Sequence, residues 1–180
     1  MEIFKENNIK MNWDEYAIGI AEAVAKKSKD PWKKVGAVIL RKDNSIASVG
    51  YNGFPQGIEE NWENRDQRRN YVIHAEQNAL RYIKPEEGEA IYSTLLPCGD
   101  CLKAIAAYKI KKVIYKEIYA NDPVALDVAE KMGIELIEFK KQKLKSYWDH
   151  SSKPSLFVVK QEDVEIYRGT YPNGAKILGL

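Results

Sequence analysis

Long apolar runs and an excess of charge of one sign are both missing from this 180-residue sequence. No segment approaches the roughly 20 consecutive apolar residues that a membrane-spanning helix needs. The first ten residues are polar and mixed in charge, unlike the apolar stretch of a secretory signal peptide. The formal net charge is only +2, so a nucleic acid is not expected as the main partner. We therefore expect a cytoplasmic protein with no membrane partner and no nucleic-acid partner.

Cysteine and histidine are also scarce, with two of each. Both cysteines, Cys98 and Cys101, lie in one P-C-x-x-C motif, so no thiol is left over. In a reducing compartment such a pair is more typical of metal or redox chemistry than of a structural disulfide. By itself the pair is ambiguous. It fits a redox dithiol, half of a four-ligand structural zinc site, or part of a catalytic zinc site.

The first recognisable element is a helix that begins after Asn12, a good N-terminal cap. Its apolar residues recur at helical spacing and predict one buried face, formed by Trp13, Tyr16, Ala17, Ile20 and Val24. Two short apolar runs follow, at residues 35–40 and 46–51, with a polar turn between them. This pattern predicts a β-hairpin.

Beyond the hairpin, predicted helices and strands alternate. Helices are predicted to open at residues 74–78, near Cys98 and at Pro123, and strands are predicted at residues 90–95, 112–116 and 134–139. Residues 58–69 are polar and charged, and no element is predicted there. Strands that alternate with helices after a hairpin predict an α/β domain, with helices on both faces of a mixed sheet. We expect this domain to cover residues 1–139.

Residues 140–180 form a C-terminal extension of unknown role. The run KKQKLK (140–145) is typical of a solvated face or a linker. Residues 156–160 predict an added strand, and the glycine-bearing end from residue 167 predicts a loosely docked tail. No chemistry is visible in this extension.

The segment HAEQN (74–78) supplies a histidine for the two cysteines. Alone, it is more typical of a core helix with one hydrogen-bonded histidine. A structural zinc site needs four protein ligands, however, and the only nitrogen candidates are His74 and His150. His150 lies in a polar part of the extension and is predicted to be exposed. Three ligands with an open fourth position are typical of a catalytic zinc site.

Glu76 follows His74 by two residues, and such residues lie about 200° apart on a regular helix. They can face one site only if the helix begins there. A carboxylate that does not bind the metal could then transfer protons to and from metal-bound water. The alternative roles for Glu76 are a fourth metal ligand or a first-turn glutamate stabilised by the helix dipole.

H-x-E followed by P-C-x-x-C is the signature of zinc deaminases, and this sequence matches all five fixed positions.

Four stretches resemble the deoxycytidylate (dCMP) deaminase family, part of the zinc-dependent cytidine deaminase-like superfamily. They are SKDPWKKVGAVIL (28–40), GYNGFPQGI (50–58), HAEQNAL (74–80) and PCGDCLKAI (97–105). The resemblance implies a three-layer α/β/α fold with a central mixed five-stranded sheet and one Zn²⁺ per chain. It also implies hydrolytic deamination of dCMP to dUMP and ammonia, which feeds thymidylate synthesis.

The resemblance also implies roles for individual residues. It makes Glu76 the general acid/base of the reaction. The implied zinc ligands are His74, Cys98 and Cys101. The implied substrate-binding residues are Asn52 for the sugar, the backbone around Ala75 for the base carbonyl, and Ser28 and Lys29 for the phosphate.

In the resembled family, the loop NGFPQG (52–57) borders a regulatory site in a homohexamer. There dCTP with Mg²⁺ activates the enzyme and dTTP inhibits it. The resemblance therefore implies a regulatory role for Gly53, Phe54 and Gly57. Two departures are visible: Lys33 replaces a small hydroxyl residue, and residues 58–73 lack the cysteines and histidines that bind a second zinc in some members.

Other functions remain open at this point. The chain could be a bifunctional dCMP/dCTP deaminase or a deaminase of free nucleosides, because phosphate contacts decide between these substrates. A tRNA-editing deaminase is disfavoured, since no basic stripe flanks the motif. A catalytically idle, zinc-stabilised nucleotide-binding regulator is a further alternative. The presence of Glu76 argues against it, because a structural site needs no unliganded carboxylate.

Overall fold

The structure is a computed structural model and describes residues 11–118, 123–141, 144–151, 153, 155–161 and 164–170. The chain divides into two compact units, one of which is Asn12–Phe139. The described residues from Lys140 onwards belong to the other unit. No helix among the described residues is long and apolar enough to cross a membrane.

Five helices and five strands build the first unit within the described residues. The helices are α1 (Trp13–Ala25), α2 (Arg65–Tyr71), α3 (Ala75–Leu80), α4 (Gly99–Ala107) and α5 (Pro123–Met132). The strands are β1 (Gly36–Leu40), β2 (Ile46–Tyr51), β3 (Ala90–Leu95), β4 (Lys112–Glu117) and β5 (Glu135–Glu138). They form one sheet in the order β2-β1-β3-β4-β5. Strand β1 is antiparallel to both of its neighbours, whereas β3, β4 and β5 are parallel.

The sheet is covered on both faces, as the buried residues of β1 show. All five residues of this strand are buried, which explains its continuous apolar sequence GAVIL. Ala37 and Ile39 belong to a core cluster that includes residues of α3, α4 and α5. Val38 and Leu40 belong to a second cluster that includes residues of α1. Since successive strand residues point to opposite faces, the predicted α/β/α arrangement with a mixed five-stranded sheet is confirmed.

Helix α1 begins as predicted, and Ala17 is buried as predicted, but the aromatic part of the predicted face is not. The side chain of Asn12 accepts a hydrogen bond from the backbone N–H of Glu15. Trp13 and Tyr16 are exposed, however, and the buried residues are the small ones together with one isoleucine: Ala17, Ile18, Ala21 and Ala25. A Cβ atom on Gly36 would clash with the carbonyl oxygen of Ala21. The helix lies so close to β1 that large aromatic residues do not fit between them.

Helix α2 was not predicted. Its sequence RDQRRNY has no apolar periodicity, and none of its residues is buried. The side chain of Asn64 caps the helix by accepting hydrogen bonds from the backbone N–H groups of Asp66 and Gln67, both at 3.0 Å. The helix is thus specified by a cap signal, which the hydrophobic pattern does not contain.

The second unit contains a three-stranded antiparallel sheet in the order β6-β7-β8. These strands are β6 (Leu144–Asp149), β7 (Leu156–Gln161) and β8 (Val164–Gly169). The predicted strand at residues 156–160 is confirmed. The predicted linker and tail are wrong where β6 and β8 replace them, since β6 begins inside KKQKLK and β8 extends through residue 169. The rest of the predicted tail, from residue 171, lies outside the described residues.

Candidate metal centre and its cavity

His74 and Cys98 occupy equivalent positions at the starts of two helices. His74 is the N-cap of α3 and Cys98 is the N-cap of α4, both with extended backbone conformations. Neither side chain hydrogen-bonds to its own helix as a cap. Helix α3 therefore begins at His74, which is the condition under which His74 and Glu76 can face one site. A Cβ atom on Gly50 would clash with the carbonyl oxygen of Ala75, so β2 lies directly against this helix start.

The structure brings the side chains of His74, Cys98 and Cys101 together. The Nδ1 atom of His74 lies 3.5 Å from the Sγ atom of Cys98 and 3.3 Å from the Sγ atom of Cys101. All three atoms lie within 4.8 Å of one another. Tetrahedral zinc with ordinary bond lengths separates a nitrogen ligand from a sulfur ligand by about 3.6 Å. The spacing and the chemistry of these three donors therefore fit zinc.

The two thiols favour different protonation states. A hydrogen bond from Cys101, supported by one from His74, holds the pKa of Cys98 well below its usual range. The same interaction with Cys98, together with burial, raises the pKa of Cys101. The hydrogen bond with Cys98 also raises the pKa of His74. The lowered pKa favours the thiolate form of Cys98, which is the form of cysteine that binds metals.

Glu76 is buried beside these three residues, with only 3% of its surface exposed. Its Oε1 atom accepts a hydrogen bond from Ser93 Oγ at 2.9 Å, and its Oε2 atom accepts one from Cys101 Sγ at 3.5 Å. Burial raises the pKa of Glu76 above its ordinary value. A raised pKa means that this buried carboxyl group holds a proton more readily than an exposed one, which suits a general acid/base.

Ser93 is a functional candidate that the sequence reasoning missed. It lies on β3, is completely buried, and its hydroxyl donates to Glu76. The local signal was the pair of hydroxyl residues Ser93 and Thr94 within the otherwise largely apolar run AIYSTL (90–95). Its partner is 17 residues away, so only the fold reveals the pairing.

A cavity of about 550 Å³ opens beside the metal centre. It is lined by His74, Ala75, Glu76 and Cys98 from the metal side, and also by Asp30, Trp32, Lys33, Val35, Asn52, Arg65, Arg68 and Arg69. The volume suits a small-molecule ligand. The candidate metal ligands His74 and Cys98, the buried Glu76 and several cationic side chains therefore share one concave site.

Asn52 lines this cavity, but its side chain is already hydrogen-bonded to other residues of the protein. The Oδ1 atom accepts from the backbone N–H of Val35 at 2.8 Å. The Nδ2 atom donates to Asp30 Oδ2 at 3.2 Å and to the backbone carbonyl of Lys33 at 3.0 Å. Asn52 therefore holds the segment from Asp30 to Val35 in place. Its predicted contact with a sugar stays a prediction.

Ser28 and Lys29, which the resemblance assigns to the phosphate, are not among the residues that line the cavity. Ser28 is buried, and its hydroxyl oxygen accepts from the backbone N–H of Asp30 at 3.2 Å. The Nζ atom of Lys29 lies 2.7 Å from the Oε1 atom of Glu60. The structure thus leaves these two residues outside the cavity lining, whereas the unpredicted helix α2 contributes to that lining.

The three residues assigned to regulation lie in the loop after β2 and are likewise absent from the cavity lining. Gly53 forms an isolated antiparallel bridge with Ile73, next to His74. Phe54 packs edge-to-face on Trp62, with ring centroids 4.7 Å apart. Gly57 has a φ of 89°, a conformation that favours glycine.

In the second unit, His150 is exposed, as predicted, and its Nδ1 lies 3.0 Å from Ser155 Oγ.

Together, the fold and the site define an α/β protein that holds a three-residue metal centre and a buried glutamate beside a small-molecule cavity. Residues 11–117 match the cytidine and deoxycytidylate deaminase zinc-binding region. Because this match spans more than half of the chain, the protein belongs to the zinc-binding cytidine and deoxycytidylate deaminase family.

Similar proteins share this part of the chain. It is 39% identical over 121 residues to a probable deoxycytidylate deaminase of Caenorhabditis elegans, covering 63% of this chain and 60% of that protein. It is 37% identical over 121 residues to the human deoxycytidylate deaminase, covering 62% and 68%. The crystal structure of the dCMP deaminase of cyanophage S-TIM5 in complex with dCMP and dUMP matches with a TM-score of 0.64 and 33% identity. That match covers 73% of this chain and 99% of the phage chain.

Proposed function

We propose that the protein catalyses the hydrolytic deamination of dCMP to dUMP and ammonia. The observation that carries this proposal is the convergence of His74 Nδ1 and the two cysteine sulfurs within 4.8 Å, next to the buried carboxyl group of Glu76. The choice of dCMP is supported by the names of the relatives and by the phage structure that contains dCMP and dUMP.

His74, Cys98 and Cys101 would hold the zinc ion, because their three donor atoms have the spacing and the chemistry that it requires. When bound in such a centre, zinc makes a water molecule a competent nucleophile near neutral pH. The three ligands come from two helix starts that the core fixes in place. The position of this centre relative to the cavity is therefore set by the fold.

Glu76 would carry the protons of the reaction. Its carboxylate accepts a proton from the attacking water and delivers protons to N3 of the cytosine ring and to the leaving amino group. Water thus supplies the new C4 oxygen, and the C4–N bond breaks to release ammonia. Ser93 fixes one carboxylate oxygen of Glu76 through the 2.9 Å hydrogen bond, so the other oxygen remains directed towards the metal ligands.

The base and the sugar would be positioned by residues beside the metal centre. Ala75 follows His74 directly and lines the cavity, which supports a backbone contact with the base carbonyl. Asn52 also lines the cavity and orders the segment from Asp30 to Val35 through its hydrogen bonds. This arrangement supports a contact between Asn52 and the sugar through its remaining acceptor capacity.

The direct test is ammonia release by the zinc-loaded protein from dCMP, dCTP and deoxycytidine. We expect turnover of dCMP and a loss of turnover after chelation of zinc. Comparable turnover of dCTP would favour the bifunctional dCMP/dCTP deaminase. Binding of dCMP with no ammonia release would favour the catalytically idle regulator and would refute the proposal.

Regulation and assembly follow the same family resemblance. We propose a homohexamer in which dCTP with Mg²⁺ activates and dTTP inhibits, with Gly53, Phe54 and Gly57 at the regulatory site. The bridge between Gly53 and Ile73 supports a connection from this loop to His74. The enzyme would act in the cytoplasm and feed thymidylate synthesis. Measuring the mass in solution and the dCMP rate with each effector tests these points, and a dTTP-insensitive rate would contradict the regulatory role.

A further inference from the structure

We propose that the arginine side chains of α2, Arg65, Arg68 and Arg69, form the phosphate subsite of the cavity. They, and not Ser28 and Lys29, would then make the enzyme select a nucleotide over a nucleoside. This inference rests on the proposed function for the identity of the base and of the reaction. The sequence resemblance points to a different segment, so the two assignments make opposite predictions.

The three arginines form one patch. They occupy positions i, i+3 and i+4 of α2, which lie on the same side of a helix. All three line the cavity that also contains His74 and Glu76. A molecule held at the metal centre can therefore extend towards three guanidinium groups within the same cavity.

Among the residues that line the cavity, cationic side chains outnumber acidic ones. Within the described part of the chain, none of the three arginines forms an ion pair with an acidic side chain. Asp30 lines the same cavity, but its carboxylate accepts hydrogen bonds from the backbone N–H groups of Trp32 and Lys33 and from the side chain of Asn52. Three like charges around one cavity favour an anionic ligand, because an anion relieves their mutual repulsion.

Arg68 is the best positioned of the three. Its guanidinium carbon lies 3.9 Å from the centroid of the Trp32 ring, so the ring supports one face of the cation. Its Nε atom is buried and has no hydrogen-bond partner among the described residues. A buried donor without a partner costs free energy. An oxyanion in the cavity would satisfy this donor, and a guanidinium group binds phosphate oxygens through two parallel N–H groups.

The competing segment lacks these properties. The ammonium group of Lys29 lies 2.7 Å from a carboxylate oxygen of Glu60, so its charge is already offset. The hydroxyl oxygen of Ser28 accepts from the backbone of its own loop, and Ser28 is buried. Lys33 does line the cavity, but its ammonium group lies 3.0 Å from a carboxylate oxygen of Glu117. Among these cations, only the α2 arginines combine access to the cavity with an uncompensated charge.

The experiment compares dCMP with deoxycytidine, which differ only in the phosphate. We expect Arg68→Gln and Arg69→Gln each to lower kcat/KM for dCMP by about ten- to a hundredfold, mostly through KM, because each removes a charged hydrogen bond to a bound group. The values for deoxycytidine should not change. Arg81→Gln is the matched control, since Arg81 is exposed at the end of α3 and does not line the cavity.

A binding measurement separates this inference from the proposed reaction. Titration calorimetry of the zinc-loaded protein with dUMP and with deoxyuridine needs no turnover. The wild-type protein should prefer dUMP, and Arg68→Gln should remove most of that preference. If dCMP is not deaminated but the preference depends on Arg68, the reaction is refuted and the subsite stands.

Three results would overturn the subsite. One is an equal loss on dCMP and deoxycytidine in the arginine variants, which indicates a structural role of α2. Another is an unchanged preference for dUMP in Arg68→Gln and Arg69→Gln. The last is a loss of nucleotide preference in Lys29→Ala but not in the arginine variants. That result would mean that the phosphate binds at the segment that the family resemblance indicates.

Discussion

The two sides of the cavity are built in contrasting ways. On the metal side, Cys101 and Glu76 are buried, and the ligands come from helices that pack into the core. On the arginine side, α2 is a seven-residue helix with no buried residue, fixed by its Asn64 cap and by the contact between Arg68 and Trp32. The chemistry of the metal side depends on a rigid framework. The arginine side lies on a helix that can change without changing the core.

Together with the proposed reaction and the proposed phosphate subsite, this difference predicts that reaction and selectivity are separable in this protein. Substitutions on the metal side should affect every substrate equally, because in the proposed reaction the metal centre and Glu76 act on the cytosine ring. Substitutions on the arginine side should affect only substrates that carry a phosphate. Each of the following predictions tests this separation, from the largest expected effect to the smallest.

The largest effect is expected from His74→Ala, which removes one of the three proposed metal ligands. The variant should lose zinc and activity on every substrate, because two cysteines alone do not complete the centre. Zinc content after dialysis, measured by mass spectrometry, checks this outcome. The sequence offers a matched control, since His150 is the only other histidine and is exposed. His150→Ala should keep its zinc, and full zinc occupancy in His74→Ala would contradict the proposed ligand set.

The next effect concerns the proton carrier. Glu76→Gln should keep zinc but lower kcat by at least about 10²-fold on dCMP and on deoxycytidine alike, since it removes the proposed general acid/base. Rates and zinc content must be measured on the same preparation. Glu63→Gln, at an exposed glutamate, should behave as the wild type. Near-normal turnover in Glu76→Gln would remove Glu76 from the mechanism.

The contrast between the two sides also explains what could be predicted from the sequence. His74, Glu76 and the two cysteines stand at short, fixed spacings, because each pair shares one helix start. Short spacings are visible in a sequence. The mixed sheet was predictable for a related reason, since continuous apolar runs such as β1 indicate strands buried on both faces.

The parts that were missed depend on distant contacts or on caps. Helix α2 has no apolar stripe, so its pattern predicts no helix, and Asn64 is the only local signal. The ion pair of Lys29 joins residues 31 positions apart and is invisible in a local reading. Trp13 has the right spacing for a buried face, but the close approach of α1 to Gly36 favours small residues instead. Tertiary packing thus decides which of two helix faces is buried.

A smaller effect is expected from Ser93→Ala, which removes the hydrogen bond to Glu76 without touching the metal ligands. Loss of one hydrogen bond to a buried carboxylate should lower kcat by about tenfold, with little change in KM. The loss should be the same for dCMP and deoxycytidine, because Ser93 acts on the metal side. Ser93→Thr keeps a hydroxyl group and should retain more activity than Ser93→Ala. A change in KM for dCMP alone would contradict the predicted separation, because Ser93 would then affect selectivity for the phosphate.

The smallest effect is expected from Trp32→Ala, on the arginine side. The indole ring holds the guanidinium group of Arg68 from one face, at 3.9 Å, and it is about half exposed. Loss of an exposed cation–π contact of this kind should raise KM for dCMP by roughly two- to fivefold. Trp32→Phe keeps an aromatic face and should retain most of the affinity, whereas deoxycytidine kinetics should not respond to either change. An equal loss of activity on deoxycytidine would mean that Trp32 acts by holding the segment from Asp30 to Val35 beside the metal centre. Trp32 would then belong to the metal side of the cavity, and only α2 to the arginine side.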